Sequence, residues 1–196
     1  LNFKKLSRGE ANVKVSPMNN LWVNASYTYT EPQLSYNTIF WVFEHKQYQE
    51  FELGADYLLK KTYNLYAKFG TVIFNESDTS NKSFKLDVGF NHPNYGLSYS
   101  RYFKYAGESD GFYGYYTREI LKSKLSCNLS LAYSRYRISE YSTEKINSFS
   151  GMLGFTFRPI PQFSVDVQGQ VIINRIYKTD TRAFIGFNYW LFKNFK

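Results

Sequence analysis

The chain has 196 residues and a formal net charge of +8, and 20% of its residues are aromatic although its mean hydropathy is -0.45. The aromatic content excludes a disordered chain, and 12 glycines with 5 prolines exclude a collagen-like one. No run of about 18 apolar residues occurs, which excludes a membrane-spanning helix. The single cysteine, Cys127, excludes an internal disulfide.

Alternating apolar and polar residues divide the chain into about eleven predicted strands. From Leu21 to Thr30 the odd positions are apolar or tyrosine, whereas most even positions are small and polar. Because successive side chains of a strand point to opposite faces of a sheet, this period of two predicts an all-β protein. The predicted strands lie at 9–17, 20–31, 38–60, 63–75, 82–92, 95–107, 110–122, 124–138, 145–158, 162–176 and 181–192.

The predicted connections alternate in character along the chain. Tight turns such as 17–20, 60–63 and 92–96 alternate with polar, mostly longer connections such as 75–83 and 139–145. This order indicates an up-and-down meander of neighbouring antiparallel strands in one domain that covers residues 1–196.

Two architectures fit this alternation. In a soluble ligand-binding β-barrel or sandwich the apolar faces point inward, whereas in an outer-membrane barrel they face lipid and the polar faces line the interior. Strands of about 10–14 residues favour the membrane barrel, since soluble strands average roughly 5–6. Tyrosines near strand ends, as at Tyr27, Tyr29 and Tyr95, match the aromatic belts of such barrels. We therefore predict an antiparallel up-and-down transmembrane β-barrel.

The inward faces of this predicted barrel carry charged and amide side chains of both signs. They either pair across strands and stabilise the barrel or tune the passage of a solute. The predicted lumen-lining residues are Lys14, Glu50, Glu52, Asp56, Lys68, Lys85, Asp87, Lys104, Arg158, Asp166, Gln168, Gln170 and Arg182.

The end of the chain, 184–195, reads FIGFNYWLFKNF and resembles the C-terminal assembly signal of bacterial outer-membrane β-barrels, which include the porins. Gly186, Tyr189 and Leu191 fall on that family's pattern, whereas Phe184 stands where the pattern has a polar residue. The resemblance implies insertion by the barrel-assembly machinery and residence in a bacterial outer membrane.

The number of strands has a consequence for the size of the barrel. Single-chain bacterial barrels have an even number of strands, and about eleven are visible here. We expect a barrel of about twelve strands or more, with a further strand in 31–47 or 1–6, or a chain that is the C-terminal portion of a longer barrel. The first residue, Leu1, suggests a processed or excised chain, and the residues before the first predicted strand do not have the pattern of a signal peptide.

The positive charge is scattered. Lysine pairs occur only at 4–5 and 60–61, whereas nucleic-acid binding needs clustered basic residues, so no nucleic-acid partner is predicted. We expect attraction to outer-membrane lipid head groups or anionic solutes instead.

No catalytic, metal-binding or cofactor motif is present, so we predict a protein that is not an enzyme and has no cofactor. The two histidines, His45 and His92, fit rim or turn positions better than a general base. The predicted function is a passive pore or a structural sheath in the outer membrane. The alternatives are a barrel that houses or anchors a partner protein, an outer-membrane hydrolase that uses His45, and a soluble ligand-binding β-barrel.

Overall fold

A computed structural model gives the architecture of the chain. The residues that the structure describes are 8–31, 47–75, 80–104, 107–137, 144–175 and 178–191. The segments 1–6 and 38–46, where a further strand and part of the third strand are predicted, lie outside these residues.

Eleven antiparallel strands form one sheet, and each strand pairs with its neighbours in sequence. The strands are β1 Arg8–Met18, β2 Leu21–Thr30, β3 Gln47–Leu59, β4 Tyr63–Asn75, β5 Ser80–His92, β6 Tyr95–Lys104, β7 Glu108–Leu121, β8 Leu125–Arg137, β9 Ile146–Ile160, β10 Phe163–Ile173 and β11 Asp180–Tyr189. This confirms the predicted all-β, up-and-down antiparallel order.

The structure corrects the start of the strand predicted at 110–122. The acidic stretch before Gly111 belongs to β7, which starts at Glu108, and Asp110 pairs in register with Arg101 of β6. The strand extends this far because the charged side chains find partners on neighbouring strands: Arg137 lies 2.9 Å from Glu108, and Arg101 lies 3.5 Å from Asp110.

The tight turns use left-handed backbone conformations. Asn20 has φ 69°, Lys60 φ 50°, Lys61 φ 58° and Ser123 φ 58°. These positive φ values reverse the chain within a few residues, so neighbouring strands pair almost from the turn onward. The long, regular ladders of the sheet follow from these short connections.

The two faces of the sheet differ in exposure, and the apolar face is the more exposed one. Leu53 is 59% exposed and Phe69 49%, whereas their neighbours Glu52 and Lys68 are half-buried and Gly70 is buried. The described residues include no buried apolar side chain, and the two buried polar side chains, Ser83 and Ser164, lie on the polar side. The polar face is therefore the sheltered face, opposite to the arrangement in a soluble β-barrel.

The sheet has two edges. Among the described residues, β1 contacts only β2, and β11 contacts only β10. Apolar side chains at these edges are strongly exposed, as at Val13 (61%) and Phe187 (70%). In the described part of the chain, no helix is both long and apolar enough to cross a membrane.

Glycines on the polar face make room for larger neighbours, and this gives a test of the fold. A Cβ at Gly89 would lie 2.7 Å from both the Leu97 carbonyl oxygen and the Tyr66 hydroxyl, whereas a Cβ at Gly169 would meet nothing within 4 Å.

We expect Gly89→Ala to lower the free energy of unfolding by about 1–3 kcal/mol because of overpacking. The matched variant Gly169→Ala should change it by less than about 0.5 kcal/mol. Urea unfolding in phospholipid vesicles, followed by tryptophan fluorescence, measures both, and equal losses would contradict the described register.

Candidate functional site

The densest group of charges lies in the middle of the polar face, on β3, β4 and β5. We call it the charged wall and define it by six residues: Glu50, Glu52, Asp56, Lys68, Lys85 and Asp87. All six were predicted to line a lumen, and the register places them on one face of three adjacent strands. The alternation along each strand predicts the residues, and the structure shows that they form one cluster.

Gly70 explains how a lysine of β5 reaches carboxylates of β3 across the intervening strand. Glu52 of β3 pairs with Gly70 of β4, which in turn pairs with Lys85 of β5. A Cβ at Gly70 would lie 2.5 Å from Cε of Lys85, so only a strand without a side chain here leaves room for the lysine stem. The missing side chain permits an ion pair between strands that are not neighbours.

Lys85 is the centre of the charged wall. Its Nζ donates to Glu50 Oε1 and lies 2.5 Å from Glu52 Oε2, and its side chain is only 13% exposed. Lys68 is a weaker partner, with its Nζ 3.9 Å from Glu52 Oε1 and a side chain that is 38% exposed. One lysine therefore pairs with two carboxylates in a partly desolvated position, and one of their two negative charges stays uncompensated.

A polar groove of about 390 Å³ adjoins Lys85 on the turn side of the wall. Asn64 Nδ2 donates to Asp56 Oδ1 over 3.4 Å, and Asp87 pairs in register with Lys68. The groove is lined by Glu52, Asp56, Asn64, Tyr66, Lys68, Asp87 and Asn91. Its carboxylates outnumber its lysine, so a hydrated cation or a hydroxylated solute suits it better than an anion.

A second polar group lies on β9, β10 and β11. Asp166 accepts hydrogen bonds from the Thr156 hydroxyl (2.6 Å) and from the Asn188 amide (2.6 Å). Gln168 Nε2 lies 2.6 Å from Sδ of Met152, and Gln170 pairs in register with Arg182. On β9 to β11 the polar contacts are therefore made mainly by neutral hydrogen-bond donors, whereas the charged wall contains ion pairs.

Three other residues predicted to line the lumen lie apart from these groups. Lys14 on β1 places its Nζ 5.9 Å from the Trp22 ring, and the Arg158 guanidinium near the tight turns lies 5.9 Å from the Trp190 ring. Lys104 has φ 82°, and its Nζ lies 4.7 Å from the Phe84 ring. Phe84 belongs to the apolar face, so the ammonium of Lys104 is directed toward that side.

The predicted lumen-lining residues omit several polar residues that complete the two groups. Asn64, Tyr66 and Asn91 line the groove of the charged wall, and Thr156 and Asn188 hold Asp166. Their signal was present in the sequence, because each has the same strand parity as the charged residues beside it. The sequence pattern does not give the register between strands, and the register determines which side chains of adjacent strands are neighbours.

The histidine and assembly-signal predictions have separate outcomes. His92 packs against the rings of Tyr63 and Tyr95, and its Nδ1 accepts a hydrogen bond from the Asn94 amide, as suits a turn residue. His45 lies outside the described residues. Gly186, Tyr189 and Leu191 lie on and just after β11, and their role in assembly stays a prediction.

A metal centre finds no support in the described ranges, where no three His, Cys, Asp or Glu side chains are grouped so as to hold a metal ion.

Comparisons with known proteins show which solved structures this architecture resembles. No protein-family model and no curated protein matches the chain. The structure resembles the crystal structure of Acinetobacter baumannii OccAB4, an outer-membrane porin, at 11% sequence identity and a TM-score of 0.59. The match covers 93% of this chain and 52% of that one, so the chain spans about half the length of OccAB4.

A second solved structure, described as "Unveiling the Mechanism Behind the in-meso Crystallization of Membrane Proteins", matches at 11% identity with a TM-score of 0.41, covering 93% of this chain and 75% of that one. That score is too low to support an argument. The similarity to OccAB4 concerns the fold alone: the chain's up-and-down antiparallel strands resemble about half of that outer-membrane porin.

The contacts of Lys85 predict its effect on stability. Lys85→Met should lower the free energy of unfolding by about 1–3 kcal/mol, because Glu50 and Glu52 lose the cation that satisfies them. Lys68→Met removes the same charge from the same face but only a long, more exposed pair, and should cost less than about 1 kcal/mol. Chemical unfolding in micelles measures both, with partial recovery expected in Lys85→Met/Glu50→Gln, where only Glu52 keeps a charge that has lost its close cation. Equal costs for the two single variants would contradict the larger contribution expected of the Lys85 contacts.

Proposed function

We propose that this chain forms part or all of a β-barrel in a bacterial outer membrane, and that its polar face lines a passive passage for small hydrophilic solutes. The observation that carries the proposal is the reversed exposure of the two faces. Leu131, Leu153 and Val167 on the apolar face are each 44–47% exposed, while Asp166 and Gln168 on the polar face are half-buried. Lipid is the solvent that suits an exposed apolar face of this extent.

The composition of the polar face supports a hydrated interior. A dry core made of these side chains would leave many charges and amides in a medium of low dielectric constant, at a cost of several kcal/mol for each unpaired charge. Water in a passage satisfies them without such a cost. The similarity of fold to an outer-membrane porin, OccAB4, agrees with this reading, and no catalytic role is proposed.

The charged wall gives the passage a local field. Glu50, Glu52, Asp56 and Asp87 face Lys68 and Lys85 there, so carboxylates exceed lysines by four to two in the wall as defined above. A wall with excess carboxylate raises the local concentration of cations. Cations and neutral polar solutes should therefore pass this stretch more readily than anions of the same size.

Closure of the barrel is a further part of the proposal. The backbone N–H and C=O groups at the free edges of β1 and β11 would each cost several kcal/mol in hydrocarbon if unpaired. We propose that additional strands of the same barrel pair with both edges, so the barrel has about twelve strands or more. The proposed partners are outer-membrane lipid, the barrel-assembly machinery acting on the end of the chain, and the transported solute.

Planar-bilayer recording tests the proposed function directly. The full-length protein should conduct in discrete steps in potassium chloride, as a water-filled passage does. A barrel that inserts fully into vesicles, shown by protection from added protease, yet never conducts would refute the pore and leave a sheath or anchor for a partner.

Ion selectivity should follow the charge of the wall. We expect Lys85→Met to shift the reversal potential in a potassium chloride gradient toward cation preference, and Asp56→Asn/Asp87→Asn to shift it toward anions. Lys61→Met is the matched control, because Lys61 is an exposed residue of a tight turn and lies outside the wall. Shifts of the same size for Lys61→Met and Lys85→Met would place the selective region elsewhere.

A further inference from the structure

Basic side chains gather at one end of the apolar face, where the strands run into the longer connections. We call them the loop-end basic cluster: Lys82, Arg101, Lys104 and Arg135. Each lies within three residues of the end of its strand on β5, β6 or β8. By register, Lys82, Arg101 and Arg135 share the face of the exposed apolar residues, and Lys104 directs its ammonium to that face through Phe84.

Acidic neighbours only partly neutralise this end of the face. The Arg101 Nε lies 3.5 Å from Asp110, and the Arg101 side chain remains 52% exposed. Glu108 already binds Arg137 at 2.9 Å and Lys145 at 3.3 Å. Arg135 is exposed and has no ion-pair or hydrogen-bond partner among the described residues. On β5 to β8 and at Lys145, six cations therefore meet two carboxylates, Glu108 and Asp110, while Glu144 beside Lys145 pairs with Arg175 at 3.1 Å.

Aromatic residues mark the level at which the apolar band ends. Tyr99, Phe112, Tyr133 and Phe149 occupy one row across β6 to β9, directly beside the row that contains Arg101 and Arg135. The hydroxyls in this row point toward the row that contains Arg101 and Arg135, because Tyr99 donates to Asp110 over 2.8 Å and Tyr133 donates to Asn147 over 3.1 Å. Such a row is typical of the boundary between hydrocarbon and head groups.

An apolar groove begins below Arg135, toward the middle of the same face. Gly151 and Gly169 leave a depression of about 330 Å³ beside Leu131 and Val171. Leu131 lies four residues from Arg135 along β8, which is about 14 Å at ~3.4 Å per residue. This separation suits a lipid whose head group lies at the arginines while one of its acyl chains fills the groove.

We infer that the loop-end basic cluster and the glycine groove form a binding site for an anionic lipid with a phosphate in its head group. Two independent features support it. One is the basic cluster at the head-group level, and the other is the apolar depression beside Leu131 and Val171, nearer the middle of the same face. The inference rests on the proposed placement of the barrel in a membrane. It assigns the apolar face a specific lipid, whereas the proposed function concerns only the polar face.

Binding of a fluorescent, long-chain phosphatidylglycerol to the full-length protein in dodecyl maltoside micelles tests the site. Arg101→Gln/Arg135→Gln should weaken binding by about 25-fold, at about five-fold for each cation near a lipid phosphate. Arg118→Gln/Lys124→Gln is the matched control, because it removes two cations near the tight turns at the other end of the strands. It should leave the affinity unchanged, and Arg101→Lys/Arg135→Lys should retain most of it.

The acyl-chain part of the site has its own test. Gly169→Phe fills the groove, and it should weaken binding of long-chain but not of short-chain phosphatidylglycerol. Phosphatidylcholine, which has no net charge, should bind more weakly than phosphatidylglycerol to the unmodified protein.

Three results would overturn the inference: equal losses in the two glutamine variants, equal affinity for the two lipids, or displacement of the lipid by inorganic phosphate, which would indicate a site for soluble anions. The test is independent of the pore. Conductance of Arg101→Gln/Arg135→Gln should equal that of the unmodified protein, and a barrel that prefers phosphatidylglycerol but never conducts would refute the pore alone.

Discussion

Continuous backbone hydrogen bonding between neighbouring strands is the constraint on which the other features depend. The ladder runs through ten strand pairs in sequence order, and it fixes which side chains share a face. Trp22, Asp56 and Tyr66 pair in register across β2, β3 and β4 and therefore lie on the same face. Because side chains alternate along each strand, every second residue on either side of them lies on that face as well. Hydrocarbon offers no alternative partner to the backbone, so the same ladder that orders the faces also makes a strand sheet viable in lipid.

The polar face depends on glycines as much as on charges. Gly54, Gly70 and Gly154 each lie beside a long polar side chain that a Cβ would meet at 2.4–2.5 Å. The absent side chains leave room for these asparagine and lysine side chains, and at Gly70 this room lets Lys85 of β5 reach the carboxylates of Glu50 and Glu52 on β3. On the opposite face the aromatic and basic residues near the longer connections form the boundary at which an anionic lipid is proposed to bind. One sheet thus presents a solute-facing surface and a lipid-facing surface built from alternate residues of the same strands.

The alternation of residues along each strand was sufficient to predict the strands and their two faces. The contacts between strands depend on the pairing of segments that are distant in sequence. The period of two identified all eleven strands and the parity of Glu52, Lys68 and Asp166, because alternation is a property of adjacent residues. The contact between Lys85 and Glu50 could not be predicted, since it joins residues 35 positions apart through a register that neither segment encodes alone. Lys104 illustrates a second limit, because one positive φ redirects a side chain whose parity places it inward.

The central claim is that the apolar face meets lipid and the polar face meets water. Spin labels placed one at a time from Ser164 to Ile173 on β10, in a Cys127→Ser background and in phospholipid vesicles, test it most directly. We expect oxygen, which partitions into lipid, to collide most with labels at Val165, Val167 and Val171. A water-soluble nickel chelate should collide most with labels at Asp166, Gln168 and Gln170. Oxygen collisions that are strongest at Asp166, Gln168 and Gln170, or strong nickel collisions at Val167, would contradict this assignment of the two faces.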